Sequence, residues 1–177
     1  SKNKIGEMVT LRWALSQSNN WISAYLIREF SPQSLVKLMH SFGIKSKLDP
    51  VVSLCLGPVE VSVSEMVDAY TTFVNKGIKV EPMYVTRIED NKGNVISTFT
   101  PQYTEIISEE TSHKMLEMLK AVINEGTGVR LRYRYQFKGD IGGKTGTTQN
   151  NSDGWFIGVT PDLVSGTWVG GEDRSIH

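Results

Sequence analysis

The feature that most restricts how this chain can fold is a change of hydrophobic period near Gly126. Before it, apolar residues recur three and four positions apart, the spacing of a helix face. Leu11, Ala14, Leu15, Ile22, Tyr25, Leu26 and Phe30 predict a helical stretch facing a core, with a polar break at 16–20. Ser31-Pro32 opens a second helix, since proline suits the first helical position. Leu35, Val36, Leu38, Met39 and Phe42 form its apolar face, and Gly43 ends it. Ser62 and Glu65 have the spacing of a capping box, so a third helix starts there and carries Met66, Ala69, Tyr70, Phe73 and Val74. Asn75-Lys76-Gly77 stops it. Tyr84, Thr86 and Ile88, then Val95, Ser97 and Phe99, flank the turn 90–94 and predict a hairpin. A fourth helix spans 108–124, with Glu109 and Glu110 at its positive end and Met115, Leu116, Met118, Leu119, Val122 and Ile123 inward. Beyond Gly126 lie a Gly/Thr-rich run, 140–148, and two strand-like runs, 155–159 and 164–169, joined by Thr160-Pro161-Asp162. Three short segments with short connections predict an antiparallel meander. The expected fold is α/β of the α+β type, with residues 1–125 mostly helical and 126–177 forming antiparallel strands.

Composition narrows the function. The 177 residues are 39% hydrophobic and 21% charged, enough for one packed domain. A formal net charge of zero argues against nucleic acid or an anionic membrane as the main partner. Arg130, Arg132, Arg134 and Lys138 alternate with Tyr133, Tyr135 and Phe137. Against that neutral background the segment reads as a strand or loop with one solvated face rather than a basic-aromatic surface for nucleic acid or glycan. Cys55 is the single cysteine, so no internal disulfide is possible, and its apolar surroundings, 51–56, predict a buried structural thiol. His40, His113 and His177 lack metal-ligand spacing, and no metal or cofactor is expected. Glu65 and Asp68 read as helix-surface groups, and Asp153 and Trp155 as residues that fix a turn and core. No run approaches the ~18 apolar residues of a membrane helix, and no signal peptide opens the chain.

The chemistry concentrates in Gly142-Gly143-Lys144-Thr145-Gly146-Thr147-Thr148. A phosphate-binding loop needs four residues between its first glycine and Gly-Lys-Thr; only three separate Gly139 from Gly143. It must also lead into a helix, whereas Gln149, Asn150 and a strand follow here. The better reading is a Lys-Thr-Gly motif on a strand bordering an acyl-transfer site. A lysine and hydroxyls suit a peptide carboxylate, and a glycine lets a substrate backbone lie close alongside. Well upstream, the polar break contains Ser18-Asn19-Asn20, an S-x-N arrangement; alone it would read as a cap or turn cluster.

With S-x-N preceding K-T-G, the resemblance extends over nearly the whole chain. Val9-Thr10-Leu11-Arg12-Trp13-Ala14-Leu15, the segment 68–77, Gly126-Thr127-Gly128 and Asp153-Gly154-Trp155-Phe156-Ile157-Gly158 are similar to the transpeptidase domain of class A penicillin-binding proteins, which also carry a glycosyltransferase domain. The resemblance implies a penicillin-binding protein/serine β-lactamase-like fold. It also implies an extracytoplasmic, membrane-anchored parent that cross-links peptidoglycan stem peptides through a serine acyl-enzyme and binds β-lactams. Ser18 would pass protons between nucleophile, lysine and leaving amine, and Asn20 would hold the substrate amide. Lys144 would supply positive charge beside Ser18. Thr145 and Thr147 would bind the substrate carboxylate, Gly146 would let its backbone approach, and the Thr147 N–H would serve an oxyanion hole.

The family's first motif, S-x-x-K, carries the nucleophile and belongs ahead of S-x-N; none of the 17 residues before Ser18 fits it. Ser34-Leu35-Val36-Lys37 has the pattern but follows S-x-N and falls within a packing helix. The chain is therefore expected to be truncated at both ends, inactive alone, partnered by the missing amino-terminal part of its own domain, and prone to self-association. Alternatives within reach of the same motifs are a D,D-carboxypeptidase, a β-lactamase relative, or a non-catalytic penicillin-sensing or peptidoglycan-binding module.

Overall fold

A computed structural model describes residue 4 and residues 6–148 and 151–171. Residues 1–3, Ile5, Gln149, Asn150 and residues 172–177, including His177, lie outside the described residues. The amino-terminal helical stretch is two helices, α1 (Leu11–Ser16) and α2 (Asn20–Phe30), divided at the polar break. Then come α3 (Pro32–Ser41), a 3₁₀ turn (Val52–Leu56) and α4 (Val63–Val74). Four short strands follow: β1 (Ile78–Val80), β2 (Arg87–Glu89), β3 (Val95–Thr98) and β4 (Tyr103–Glu105). The long helix α5 (Glu109–Glu125) and the single turn α6 (Arg130–Tyr133) lead to β5 (Gly142–Thr147), β6 (Asp153–Val159) and β7 (Val164–Gly170).

The predicted meander is present: β5, β6 and β7 form a three-stranded antiparallel sheet in that order. The predicted hairpin is β2–β3, with a register irregularity at Ile88–Glu89. The pairing of β1 with β4, which brackets that hairpin, has no signal in a three-residue strand. The α4 capping box is complete: the Ser62 hydroxyl accepts from the Glu65 N–H while the Glu65 carboxylate accepts from the Ser62 N–H. At the other end of α4 the backbone turns at Gly77, φ +86°, where an added Cβ would also lie 2.0 Å from the Ile107 carbonyl oxygen.

Two packed regions hold the elements. One gathers Ile27, Phe42, Ile44, Leu48, Leu54 and Ala69, with Leu35, Val36, Met39 and Phe73 against them. The other lies where α5 buries Leu119, Val122 and Ile123 beside α1 and β5, close to Ile141, Ile157 and Val159. Gly142 permits that approach, since a Cβ there would lie 3.1 Å from the Leu119 Cβ. This second region sets the helical and strand parts of the site against each other.

Several expectations need correction. Leu11, Tyr25, Phe30 and Leu38 are exposed, because each lies off the stripe that meets the core. Cys55 is half-buried, since the 3₁₀ turn rides on the core with Val51, Val52 and Leu56 open to solvent. Glu65 is no mere surface group: it accepts from the Lys45 and Ser46 amides, both at 2.7 Å, as well as from Ser62. Asp68 is half-buried; burial raises its carboxyl above the usual range, and the neighbouring Lys79 counters part of that. The basic-aromatic segment is a helical turn and a loop, with no strand.

Candidate active site

The S-x-N corner is the junction of α1 and α2. Ser18 occupies left-handed backbone, φ +50°, an uncommon state for a residue with a Cβ. Its N–H donates to the Leu15 carbonyl at 3.1 Å, and the Asn19 N–H to the Ala14 carbonyl at 2.9 Å. The Asn19 side chain caps α2, accepting from the Ile22 N–H at 3.1 Å. The two readings of this cluster thus divide by residue. Asn19 is the cap, and the side chains of Ser18 and Asn20 take no part in it. Asn20 is the exposed first residue of α2, and its amide makes no hydrogen bond among the described residues.

Lys144, on β5, crosses 126 positions of sequence to donate from Nζ to Ser18 Oγ. The same ammonium donates to the Thr145 carbonyl at 2.8 Å. Burial pushes the Lys144 ammonium below its ordinary pKa of 10.5. A lysine whose charged form is disfavoured by burial, touching a serine hydroxyl, is suited to exchanging a proton with it.

The direction of the β5 backbone follows from its pairing. β5 and β6 keep one register from Gly142↔Val159 to Thr147↔Gly154. In the next step of that register, the Thr148 N–H donates to the Asp153 carbonyl. Inward-facing amides alternate along an antiparallel strand, so the backbone groups of Thr145 and Thr147 face away from β6. The Thr145 carbonyl meets Lys144 on that outer side. β5 has no strand beyond it among the described residues. The Thr147 N–H therefore lies along an open edge on the Lys144 side, and the Thr147 side chain is exposed. Gly146 pairs with Trp155, and a Cβ on Gly146 would lie 3.1 Å from the Trp155 Cβ.

A third segment joins the two motifs. The Thr127 N–H donates to the Ser16 carbonyl at 3.0 Å, and the Thr127 and Thr145 hydroxyls are 2.5 Å apart. The Gln17 amide donates to the Glu125 carbonyl at 3.1 Å. Thr127 belongs to the Gly126-Thr127-Gly128 segment that carries part of the resemblance, but the two motifs alone give it no place in the site. At the far end of β5, Asp153 accepts from the Thr148 hydroxyl at 3.1 Å and the Trp168 indole at 2.9 Å, which fixes the turn as expected. Ser34 sits on the exposed side of α3, accepting from the Ser31 hydroxyl, and makes no hydrogen bond to Lys37 among the described residues. No three His, Cys, Asp or Glu side chains gather for a metal among the described residues, and no described helix is long and apolar enough to cross a membrane.

A helical part is thus set against an antiparallel sheet, with Ser18 of S-x-N in contact with Lys144 of K-T-G. The sequence profile of the penicillin-binding protein transpeptidase domain matches residues 1–169, and the chain belongs to that family. Its relatives agree with the class A assignment. Penicillin-binding protein 1A of Aquifex aeolicus is 34% identical over 162 residues, 92% of this chain and 22% of the relative. Penicillin-binding protein 2D of Bacillus subtilis is 33% identical over 172 residues, 94% of this chain and 25% of the relative. The chain thus spans about a quarter or less of these relatives. Among solved structures, penicillin-binding protein 1A from Haemophilus influenzae superposes with a TM-score of 0.85 at 26% identity, covering 94% of this chain and 30% of that one. PonA1 from Mycobacterium tuberculosis, solved in complex with penicillin V, gives 0.78 at 25% identity, covering 95% and 50%.

Proposed function

We propose that this chain supplies one wall of a serine-type D,D-transpeptidase site that cross-links peptidoglycan stem peptides and is acylated by β-lactams. The observation that carries the reading is the hydrogen bond from Lys144 Nζ to Ser18 Oγ, which unites two motifs 126 positions apart. The nucleophilic serine is supplied by an S-x-x-K segment of the same domain outside these 177 residues. The parent acts on the outer face of the bacterial cytoplasmic membrane, anchored by a segment outside this sequence.

In the reaction, the serine oxygen attacks the carbonyl of the penultimate D-alanine. Its proton passes to a base at the lysine–serine cluster, and Ser18 with Lys144 returns a proton to the departing D-alanine amine. The Thr147 N–H donates to the developing oxyanion. The Asn20 amide orients the substrate, and the Thr145 and Thr147 hydroxyls hold its carboxylate. An amine of a second stem peptide then attacks the acyl-enzyme and releases the serine.

Labelling with a fluorescent penicillin tests this. The intact parent should acquire a covalent label that survives denaturation, is unaffected by Ser34→Ala and is lost with Lys144→Ala. The 177-residue chain alone should remain unlabelled. Label on Ser34 of the short chain, or full labelling of Lys144→Ala, would overturn the assignment. A cross-linked product rather than a shortened peptide separates transpeptidation from carboxypeptidation.

A further inference from the structure

The basic-aromatic segment between Thr127 and β5 is absorbed by none of the chemistry above. Its shape is built. Arg132 alone of its cations turns inward, donating to Asn124 Oδ1 at 2.9 Å and to the Phe137 and Gly139 carbonyls, both at 2.8 Å. The Phe137 N–H closes the loop onto the Leu131 carbonyl at 3.0 Å. That frame leaves Arg130, Arg134 and Lys138 exposed, and none has an acidic partner among the described residues. Asp140, the nearest carboxylate in sequence, is engaged by Lys120 at 3.1 Å. Interleaved with the cations, Tyr133 and Tyr135 are each 67% exposed and Phe137 41%.

Three cations without acidic partners and three open rings thus stand on one braced loop, in a chain whose net charge is zero. The loop starts three residues after Thr127, which touches Thr145, so Arg130 lies within about 11 Å of the site along the chain. Its other end runs into the strand bearing Lys144. A ligand reaching both must be long, carry carboxylates for the guanidinium groups and ammonium, and offer flat faces that stack on aromatic rings.

We infer that this loop is an exosite for the polymeric substrate: a glycan strand whose sugar faces lie on Tyr133 and Tyr135 while stem-peptide carboxylates pair with Arg130, Arg134 and Lys138. The inference rests on the transpeptidase reading for the identity of the polymer. It places binding of the strand beside, and apart from, binding of the scissile peptide end.

The test uses the intact parent and the triple variant Arg130→Ala, Arg134→Ala, Lys138→Ala, which leaves the bracing Arg132 in place. Soluble uncross-linked peptidoglycan strands, with free or amidated stem carboxylates, are titrated at low and moderate salt; fluorescent penicillin acylation is measured in parallel. The expected result is unchanged acylation, strand affinity about tenfold weaker, and a flatter salt dependence. Amidated strands should bind the unaltered protein as weakly as free strands bind the variant. Equal strand affinity for the unaltered protein and the variant would overturn the inference. So would phosphatidylglycerol vesicles whose binding requires the three cations while strand binding does not. Absence of acylation in the unaltered parent would instead strike the transpeptidase reading, and the strand titration would still decide the exosite.

Discussion

Gly126 brings the Ser18 corner and β5 together by having no side chain. A Cβ there would lie 2.2 Å from the Ser16 carbonyl oxygen, a backbone atom that cannot rotate away. At Gly128 the nearest clash is the tip of Ile123, at 2.7 Å, which a rotamer change relieves. Gly126→Ala should therefore destabilise the intact domain by about 2 kcal/mol, and more than Gly128→Ala. Thermal melts of both variants decide this; equal losses would mean that the contact with Ser16 is not limiting. Thr127 offers a finer probe, because its hydroxyl meets that of Thr145 at 2.5 Å. Losing one such bond costs about 1 kcal/mol, so Thr127→Val should slow penicillin acylation by roughly five- to tenfold. Thr127→Ser keeps the hydroxyl and should restore most of the rate. Failure of that rescue would assign the effect to packing of the methyl group. The Ser18–Lys144 pair was legible as two motifs in the right order, since each is a short string of unusual polar residues. Thr127 was not, because its role comes from a hydrogen bond across the fold and threonine beside glycine is common in any turn.

At the scale of elements, the start of α4 shows how far local pattern carries. The capping box was plain in Ser62 and Glu65, and Pro32 likewise marked α3. What the pattern could not tell was that the Glu65 carboxylate also receives two amides from the 45–46 segment, about twenty residues away. Local strings encode caps; they do not encode which distant loop folds back onto them. Similarly, the 3.6-residue period revealed that α2 is amphipathic but overstated the stripe, and Tyr25 and Phe30 face outward. Burial alone would raise the Glu65 carboxyl; the hydrogen bonds from Ser62 and Ser46 outweigh it and bring it from 4.5 down to about 2. The folded protein therefore binds this proton less tightly than the unfolded chain. Its stabilisation is full above pH 4.5 and is lost as pH falls through that value toward about 2. Allowing for solvent screening of a partly exposed group, the contribution is about 1 kcal/mol. Denaturant titrations should show Glu65→Gln less stable than the unaltered domain at neutral pH, with the gap closing across that acid range. A gap that persists at pH 2 would mean that the cap, rather than the charge, provides the stability.

At the scale of the whole molecule, the sheet has two open edges among the described residues, with different meanings. The outer edge of β5 carries the proposed site, where the proposed substrate strand would add. The outer edge of β7 has no such role, yet Leu163, just before that strand, and Val169 on it are 62% and 68% exposed. One face of β7 is covered: a Cβ at Gly166 would meet Val67 at 2.6 Å and Val63 at 3.0 Å, so α4 packs directly on it. The edge is a different matter, because a helix on a face leaves the row of outward N–H and C=O groups unpaired. Unpaired edges flanked by exposed apolar side chains recruit other strands. The 177-residue chain on its own should therefore form concentration-dependent oligomers and melt over a broad range. Light scattering and calorimetry read both properties, and a monodisperse monomer with a sharp cooperative transition would refute the expectation. Val169→Lys places a charge where a second β7 would pair, and should shift the size distribution toward monomer without altering the site on β5. If association is equally strong in that variant, the contact lies elsewhere, with the exposed Tyr84 and Phe99 at the base of the β2–β3 hairpin the next surface to alter.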